Sequence, residues 1–225
     1  MARTWLIIAV CFLAVTSMFG QNKEMFIEQI AGKTVTRENF DKEGKLKNTQ
    51  IFLIGELQRK NDVYKVQVTT KLYDENNEMK KKYTTSYWCE PNEFDVLINV
   101  FPFANPNKVE TKVVITSKDF RQLYDLSGGD KLKDIHLKLS VESGVLNFLG
   151  SKNLVTIRDR QQEKMESGEV RVYSNARIEA YLLGLKIKTI SYSVEEYLIG
   201  NSTLEQQIFK EKNGSYFTMN YSKTI

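Results

Sequence analysis

The chain has 225 residues, 32 Lys and Arg against 28 Asp and Glu, one His, and a formal net charge of +4 at pH 7. That length suffices for one good core. The mild, interleaved charge gives no broad basic field for nucleic acid. Two cysteines in 225 residues set it apart from the small disulfide-rich secreted class.

In chain order, residues 1–20 have the form of a cleavable secretory signal peptide. Arg3 supplies the positive start, residues 5–15 form an uncharged apolar run, and Thr16, Ser17 and Gly20 are the small or polar residues near a cleavage site. Cleavage is placed after Gly20, with Ser17 the second choice because Met18 is bulky at the third position before the preferred cut. The apolar run is well short of the roughly 20 residues that cross a bilayer, and no later stretch is apolar enough to do so. Cys11 follows Val10 in mid-run, which excludes a lipid-modified cysteine there. The mature chain is therefore expected to span residues 21–225 as one domain with no transmembrane segment. It carries a charge of +3 once Arg3 leaves, and a single thiol at Cys89 that cannot form an internal disulfide.

After the signal, the pattern is strand. Thr, Val, Ile, Tyr and Phe recur in short runs bounded by Asn, Asp and Gly, and the prolines (Pro91, Pro102 and Pro106) fall in one region. Strands are predicted over 33–40, 49–58, 63–73, 80–89, 94–100, 108–116, 135–141, 153–159, 169–182, 185–197, 203–209 and 215–224. Residues 21–32 form a short helix or an edge strand. Residues 117–126, with Phe120, Leu123, Tyr124 and Leu126 near helical spacing, form a second short helix. Three turns repeat one design: Phe40 to Gly44, Tyr73 to Asn77 and Phe209 to Asn213 each begin with an aromatic and end four positions on at Gly or Asn. Those two residues tolerate the positive φ a hairpin needs.

No set of residues demands catalysis. His136 is the one histidine; it alternates with Ile135 and Leu137, so it points away from them. A histidine-based metal cluster needs more ligands than that. Asp74, Glu75, Asn76, Asn77 and Glu78 are oxygen donors in one turn, but their spacing is not that of an EF-hand. Carboxylates neighbour one another at Glu195-Glu196 and at Glu90, Glu93 and Asp95; they read as solvent-facing charge rather than an acid and base across a cleft. Gly128-Gly129-Asp130 lacks the spacing of a phosphate loop. Lys80-Lys81-Lys82 reads as a solvated strand end, and Cys89 as a half-buried strand residue. Asn201, Asn213 and Asn220 open glycosylation patterns that matter only in a host that uses them.

A resemblance lies in the order of turns and strands. Gly129-Asp130-Lys131-Leu132-Lys133-Asp134 leads to Val155-Thr156-Ile157-Arg158-Asp159-Arg160. Gly168-Glu169-Val170, Glu195-Glu196-Tyr197 and the closing hairpin from Phe209 to Ser215 follow, and Tyr83 to Cys89 with Phe94-Asp95-Val96 stand before them. This order is similar to the TapB-like family of exported bacterial proteins, over about residues 35–225. The chain departs from it at Val172, where the family has a second cysteine, and at Glu196, where it has a tryptophan. The resemblance implies an exported bacterial β protein and brings no established activity.

The expected architecture is all-β: a single antiparallel, strongly curled sheet of about twelve strands, forming a barrel-like roll or half-barrel, with one or two short helices. The expected role is non-enzymatic binding of an apolar or amphipathic ligand in the concave face. The alternative is a structural or interaction protein of the envelope that binds a protein or glycan. The expected location is the periplasm or outer surface of a bacterium. Candidate partners are a lipid or other apolar small molecule and an envelope protein. No catalytic, cofactor-binding or metal residue is assigned, and no ligand-binding residue is singled out.

Overall fold

The computed structural model describes residues 30–60, 63–89, 112–116, 126, 129–142, 152–182, 185–200 and 203–222. They hold twelve strands: β1 Thr34–Phe40, β2 Leu46–Ile54, β3 Gln58–Lys60, β4 Val63–Asp74, β5 Met79–Cys89, β6 Lys112–Thr116, β7 Ile135–Glu142, β8 Lys152–Lys164, β9 Val170–Leu182, β10 Leu185–Ile199, β11 Thr203–Glu211 and β12 Tyr216–Ser222. They form one sheet in the order β2-β1-β12-β11-β10-β9-β8-β7-β6-β5-β4-β3, with a further pairing of β2 with β4. Most strands lie beside their predecessor, and neighbours run antiparallel. The exception is β5 with β6, parallel over Ser86↔Lys112 and Tyr87↔Val113.

The all-β expectation holds, and eleven of the twelve predicted strands have counterparts here. The predicted strand 94–100 lies outside the described residues, as do the helix predictions over 21–32 and 117–126 apart from residues 30–32 and 126. The predicted strand 49–58 is two pieces, β2 and β3. Gly55 divides them: its N–H donates to Gln67 O at 2.8 Å, and a Cβ there would stand 3.0 Å from that oxygen. Only glycine lets the two backbones approach so closely.

Strand β8 runs five residues beyond its predicted end at Asp159. Asp159 has φ 55°, and the pairing with β9 slips between Arg158 and Gln161. A bulge of this kind inserts a residue and flips the side chains after it. Val155 and Ile157 are buried before it; Arg160 and Gln162 are buried after it. The segment leading into β7 binds the bulge. Leu132 N–H donates to Arg160 O at 2.9 Å, Gln162 N–H to Asp130 O at 2.9 Å, and Asp159 N–H to Asp134 Oδ1 at 3.2 Å. Gln162 Nε2 donates to Leu126 O and Gly129 O at 2.8 and 2.6 Å.

Alternation defines one dry face. Val170, Val172, Ala176 and Ile178 of β9 are buried, as are Val194 and Leu198 of β10, Phe209 of β11 and Met219 of β12. Phe209 and Phe217 stack at 4.5 Å, and Tyr192 meets both edge-on. The Arg37 guanidinium lies 3.8 Å over the Phe217 ring. Burial there lowers its pKa to about 10. A polar row crosses the same face: Gln162 opposes Val172, Val172 opposes Glu196, Glu196 opposes Gln207, Gln207 opposes Met219, and Met219 opposes Arg37. Gln207 Nε2 donates to Glu196 Oε1 at 2.6 Å, and the Tyr221 hydroxyl donates to Gln207 Oε1 at 2.5 Å. Burial, and then the charge of Glu196, push the Tyr221 pKa well above its usual value.

The repeated turns share a residue the aromatic spacing does not show. Asp41 N–H donates to Lys45 O, Asp74 to Glu78 O, Met165 to Glu169 O and Glu211 to Ser215 O, at 2.8 to 3.1 Å. In each, the residue three positions after the first has positive φ: Gly44, Asn77, Gly168 and Gly214. The third predicted turn is thus displaced by one, with Gly214 rather than Asn213 as its left-handed residue, because β11 extends to Glu211 before turning. The side chains of Asp41 and Asp74 each accept two backbone N–H bonds within their own turns.

Two outcomes follow. The Asp41 carboxylate is held below the usual range by the Lys45 backbone bond first, and that of Asp74 by Lys80 first. Each therefore binds its proton less readily folded than unfolded, so each adds stability above the ordinary aspartate range and loses it as pH falls through the lowered folded value. Replacing both by Asn keeps an acceptor and removes the charge. Urea denaturation of Asp41→Asn/Asp74→Asn is expected to show lower stability at pH 7 and a shallower decline from about pH 5 to about pH 2 than the parent. In the inner row, Gln207→Leu removes a partner from both Glu196 and Tyr221 and is expected to cost roughly 1–3 kcal/mol. Tyr221→Phe, which removes one hydroxyl, should cost about 1 kcal/mol in the same assay.

Candidate functional site

The opposite, polar face carries the arrangement best suited to a ligand. Directly opposed residues of neighbouring strands share a face. Arg158 of β8 opposes Asn175 of β9, Asn175 opposes Ser193 of β10, and Ser193 opposes Lys210 of β11. The row continues through Tyr216 of β12 to Phe40 of β1. Beside it, Thr156, Arg177 and Ser191 form a second row. With strands about 4.8 Å apart, the backbones carrying Arg158 and Lys210 stand roughly 14 Å from each other.

Short side chains between long ones make a hollow. Asn175, Ser191 and Ser193 lie low, while Arg158, Arg177, Lys210 and Lys212 rise around them and bound an open trough of about 560 Å³. Its floor includes Ala176 and Tyr192, both buried. At the Lys210 end, the Phe40 and Tyr216 rings stack at 4.7 Å with 14° between their planes.

The charges fall into two groups. Arg177 pairs with Glu179 at 2.7 Å, and Lys210 with Glu195 at 2.7 Å. Glu179 also accepts from the Tyr181 hydroxyl at 3.0 Å, which with Lys186 and Arg177 holds its carboxyl below the usual range. Lys210 does the same for Glu195. Asp159 Oδ2 accepts from Asn175 Nδ2 at 3.0 Å. Among the described residues, Arg158 and Lys212 carry no ion pair. The trough thus presents two cations outside any ion pair, the Asp159 carboxylate, and amide and hydroxyl groups between them; the ring pair follows Lys210 along the row, beyond the residues that line the trough. These are groups that bind: donors for oxygen atoms, positive charge for an anion, and an apolar face for a ring.

The residues weighed in the sequence are placed as follows. His136 is exposed on β7, opposite in direction to the fully buried Ile135. Glu195 and Glu196 lie on opposite faces, Glu195 with Lys210 and Tyr197, Glu196 in the buried row, so they are not a pair across a cleft. Strand alternation separates them. Their reading as solvent-facing charge therefore fails for Glu196, which is 4% exposed. Glu90, Glu93 and Asp95 lie outside the described residues. Asp74 spends its carboxylate on its turn and on Lys80, while Lys81 and Lys82 are exposed on β5. Cys89 ends β5. Among the described residues, no group of three or more His, Cys, Asp and Glu could hold a metal. Nor is any helix among them long and apolar enough to cross a membrane.

The trough residues were not singled out in the sequence. Most are ordinary outward residues of alternating strands, with Lys212 in the turn after β11; only register sets them in rows.

No protein-family model matches the chain, so the TapB-like resemblance has no support from one. No curated protein matches it. Solved structures similar to it include two from Bacteroides and its relatives. One is a candidate lipoprotein of Parabacteroides distasonis, with a TM-score of 0.46 and 16% identity, over 88% of this chain and 97% of that one. The other is a candidate exported protein with a YmcC-like fold from Bacteroides fragilis, with a TM-score of 0.43 and 14% identity, over 86% of this chain and 96% of that one.

Proposed function

We propose that this chain is an exported, non-enzymatic binding protein of the bacterial envelope, and that its trough takes an acidic oligosaccharide. The reading of residues 1–20 as a signal peptide supports export. The observation that carries the ligand class is the row Arg158–Asn175–Ser193–Lys210–Tyr216–Phe40. A sugar has an apolar face of C–H bonds and a rim of hydroxyls. The first suits the Phe40–Tyr216 stack, the second the amide and hydroxyls of Asn175, Ser191 and Ser193. An acid group on the sugar suits Arg158, whose planar guanidinium matches a carboxylate.

The apolar-ligand reading places its ligand on the concave face of a barrel-like sheet. It is favoured by the pairing of β2 with both β1 and β4, which links the two ends of the strand order. Against it, the inner face is occupied by the chain's own rings at Tyr192, Phe209 and Phe217 and by the buried Glu196–Gln207–Tyr221 bonds.

Calorimetric titration with oligogalacturonates and with their neutral methyl esters separates these readings. The acidic sugar is expected to bind more tightly, with affinity falling as salt rises. Arg158→Glu/Lys212→Glu should weaken it by about tenfold or more, and Tyr216→Ala should weaken acidic and neutral sugars alike. Equal binding by the charge-reversed protein would overturn the reading. So would a lipid that co-purifies in native mass spectrometry while no sugar binds.

A further inference from the structure

We propose that the unpaired edge of β10 at residues 185–191 is a membrane-surface contact, whose apolar side chains enter the lipid interface while its lysines meet anionic headgroups. The surface does not depend on the trough's ligand, although Ser191 and Glu179 also line the trough, and it rests on three observations.

First, β10 outruns its neighbour. Strand β10 begins at Leu185, but its pairing with β11 begins only at Tyr192. Residues 185–191 pair with β9 on one side, from Leu185↔Leu182 to Ser191↔Arg177. Among the described residues, no strand pairs their other side. At about 3.4 Å per residue, this leaves roughly 20 Å of strand edge standing clear of β11.

Second, that edge is apolar where a soluble edge is usually polar. Leu185 is 73% exposed and Ile187 63% exposed. In the sequence they belong to the run Leu182-Leu183-Gly184-Leu185-Lys186-Ile187-Lys188. Neither contributes to the core. Contiguous exposed apolar groups of this kind mark a contact surface.

Third, the edge carries lysines and no acid of its own. Lys186 and Lys188 alternate with the apolar residues, and residues 185–191 contain no acid. Glu179 of β9 pairs with both Arg177 and Lys186, whereas Lys188 is in no ion pair among the described residues. Apolar groups interleaved with lysines are what an anionic lipid surface attracts.

The edge itself selects lipid over an added protein strand. Its pairing with β9 slips between Lys186 and Lys188, which leaves Ile187 out of register. A bulge and edge lysines are devices that prevent a further strand from pairing. A bilayer needs no ladder.

Hydrogen exchange of the full chain tests this at the residues concerned. Residues 1–20 could bring the whole protein to a vesicle without the edge touching it, so a local readout is required. On vesicles of phosphatidylethanolamine and phosphatidylglycerol, the amides of residues 185–190 are expected to slow by about tenfold or more. Vesicles of phosphatidylcholine should leave them unchanged. Leu185→Ser/Ile187→Ser should abolish the slowing while its exchange elsewhere matches the parent, which reports an intact fold. Lys188→Glu should reduce the slowing. The proposal is overturned if the vesicles do not slow these amides, if the serine variant is slowed equally, or if the slowing appears at high protein concentration without lipid, which would be pairing between copies.

Discussion

One constraint governs the molecule: side chains of a strand alternate, and one face of this sheet must stay dry. A single misplaced residue would reverse that order for the rest of its strand. Strand β8 contains such a residue at Asp159, and the structure absorbs it as a bulge. The positive φ falls on an aspartate, a residue type that tolerates it better than most. Its N–H is tied to Asp134 and its carboxylate to Asn175. The bulge thereby decides both faces at once. It sends Arg158 outward to the trough and Arg160 and Gln162 inward to the buried row.

The inner face is not a plain hydrocarbon core. Arg37, Arg160, Gln162, Glu196 and Gln207 lie among Val, Ile, Phe and Met. Burying such groups costs free energy unless they are bonded. Arg37 donates to Asn39 and lies over Phe217, Arg160 donates to Lys133 O, Gln162 Nε2 donates to Leu126 O and Gly129 O, and Gln207 donates to Glu196, while Gln162 Oε1 is buried without a hydrogen-bond partner. The Glu196–Gln207 bond joins set positions on neighbouring strands, and Arg160 and Gln162 bind the segment before β7, so a slipped register would break these bonds. Val172 and Glu196 are direct cross-strand partners in this row, and Glu196 finds its bond on the far side, at Gln207.

The outer face follows a different economy. Its ion pairs join exposed or half-exposed groups, such as Arg177 with Glu179 and Lys210 with Glu195. Pairs of that kind contribute little to stability. They do place charge. With Arg177 and Lys210 held by carboxylates, Arg158 and Lys212 are the cations left to a ligand at the trough. Phe40 and Tyr216 stack next along the row because β1 and β12 are neighbours, although their residues are far apart along the chain.

The sequence by itself determined the strand content, most strand limits and the hairpin turns, because alternation, β-branched residues and Asp, Asn or Gly at turns act between near neighbours in the chain. It placed His136 opposite Ile135 for the same reason. It also set Leu185 and Ile187 in the strand, but not their exposure. Only the tertiary structure decided that β8 continues past Asp159, that Glu196 is buried while Glu195 is not, that the left-handed residue of the last turn is Gly214, and that β10 outruns β11. It alone aligned Arg158, Asn175, Ser193, Lys210, Tyr216 and Phe40. These depend on register between strands, which is settled by cross-strand bonds and by burial of the whole inner face, and so by residues distant in the chain.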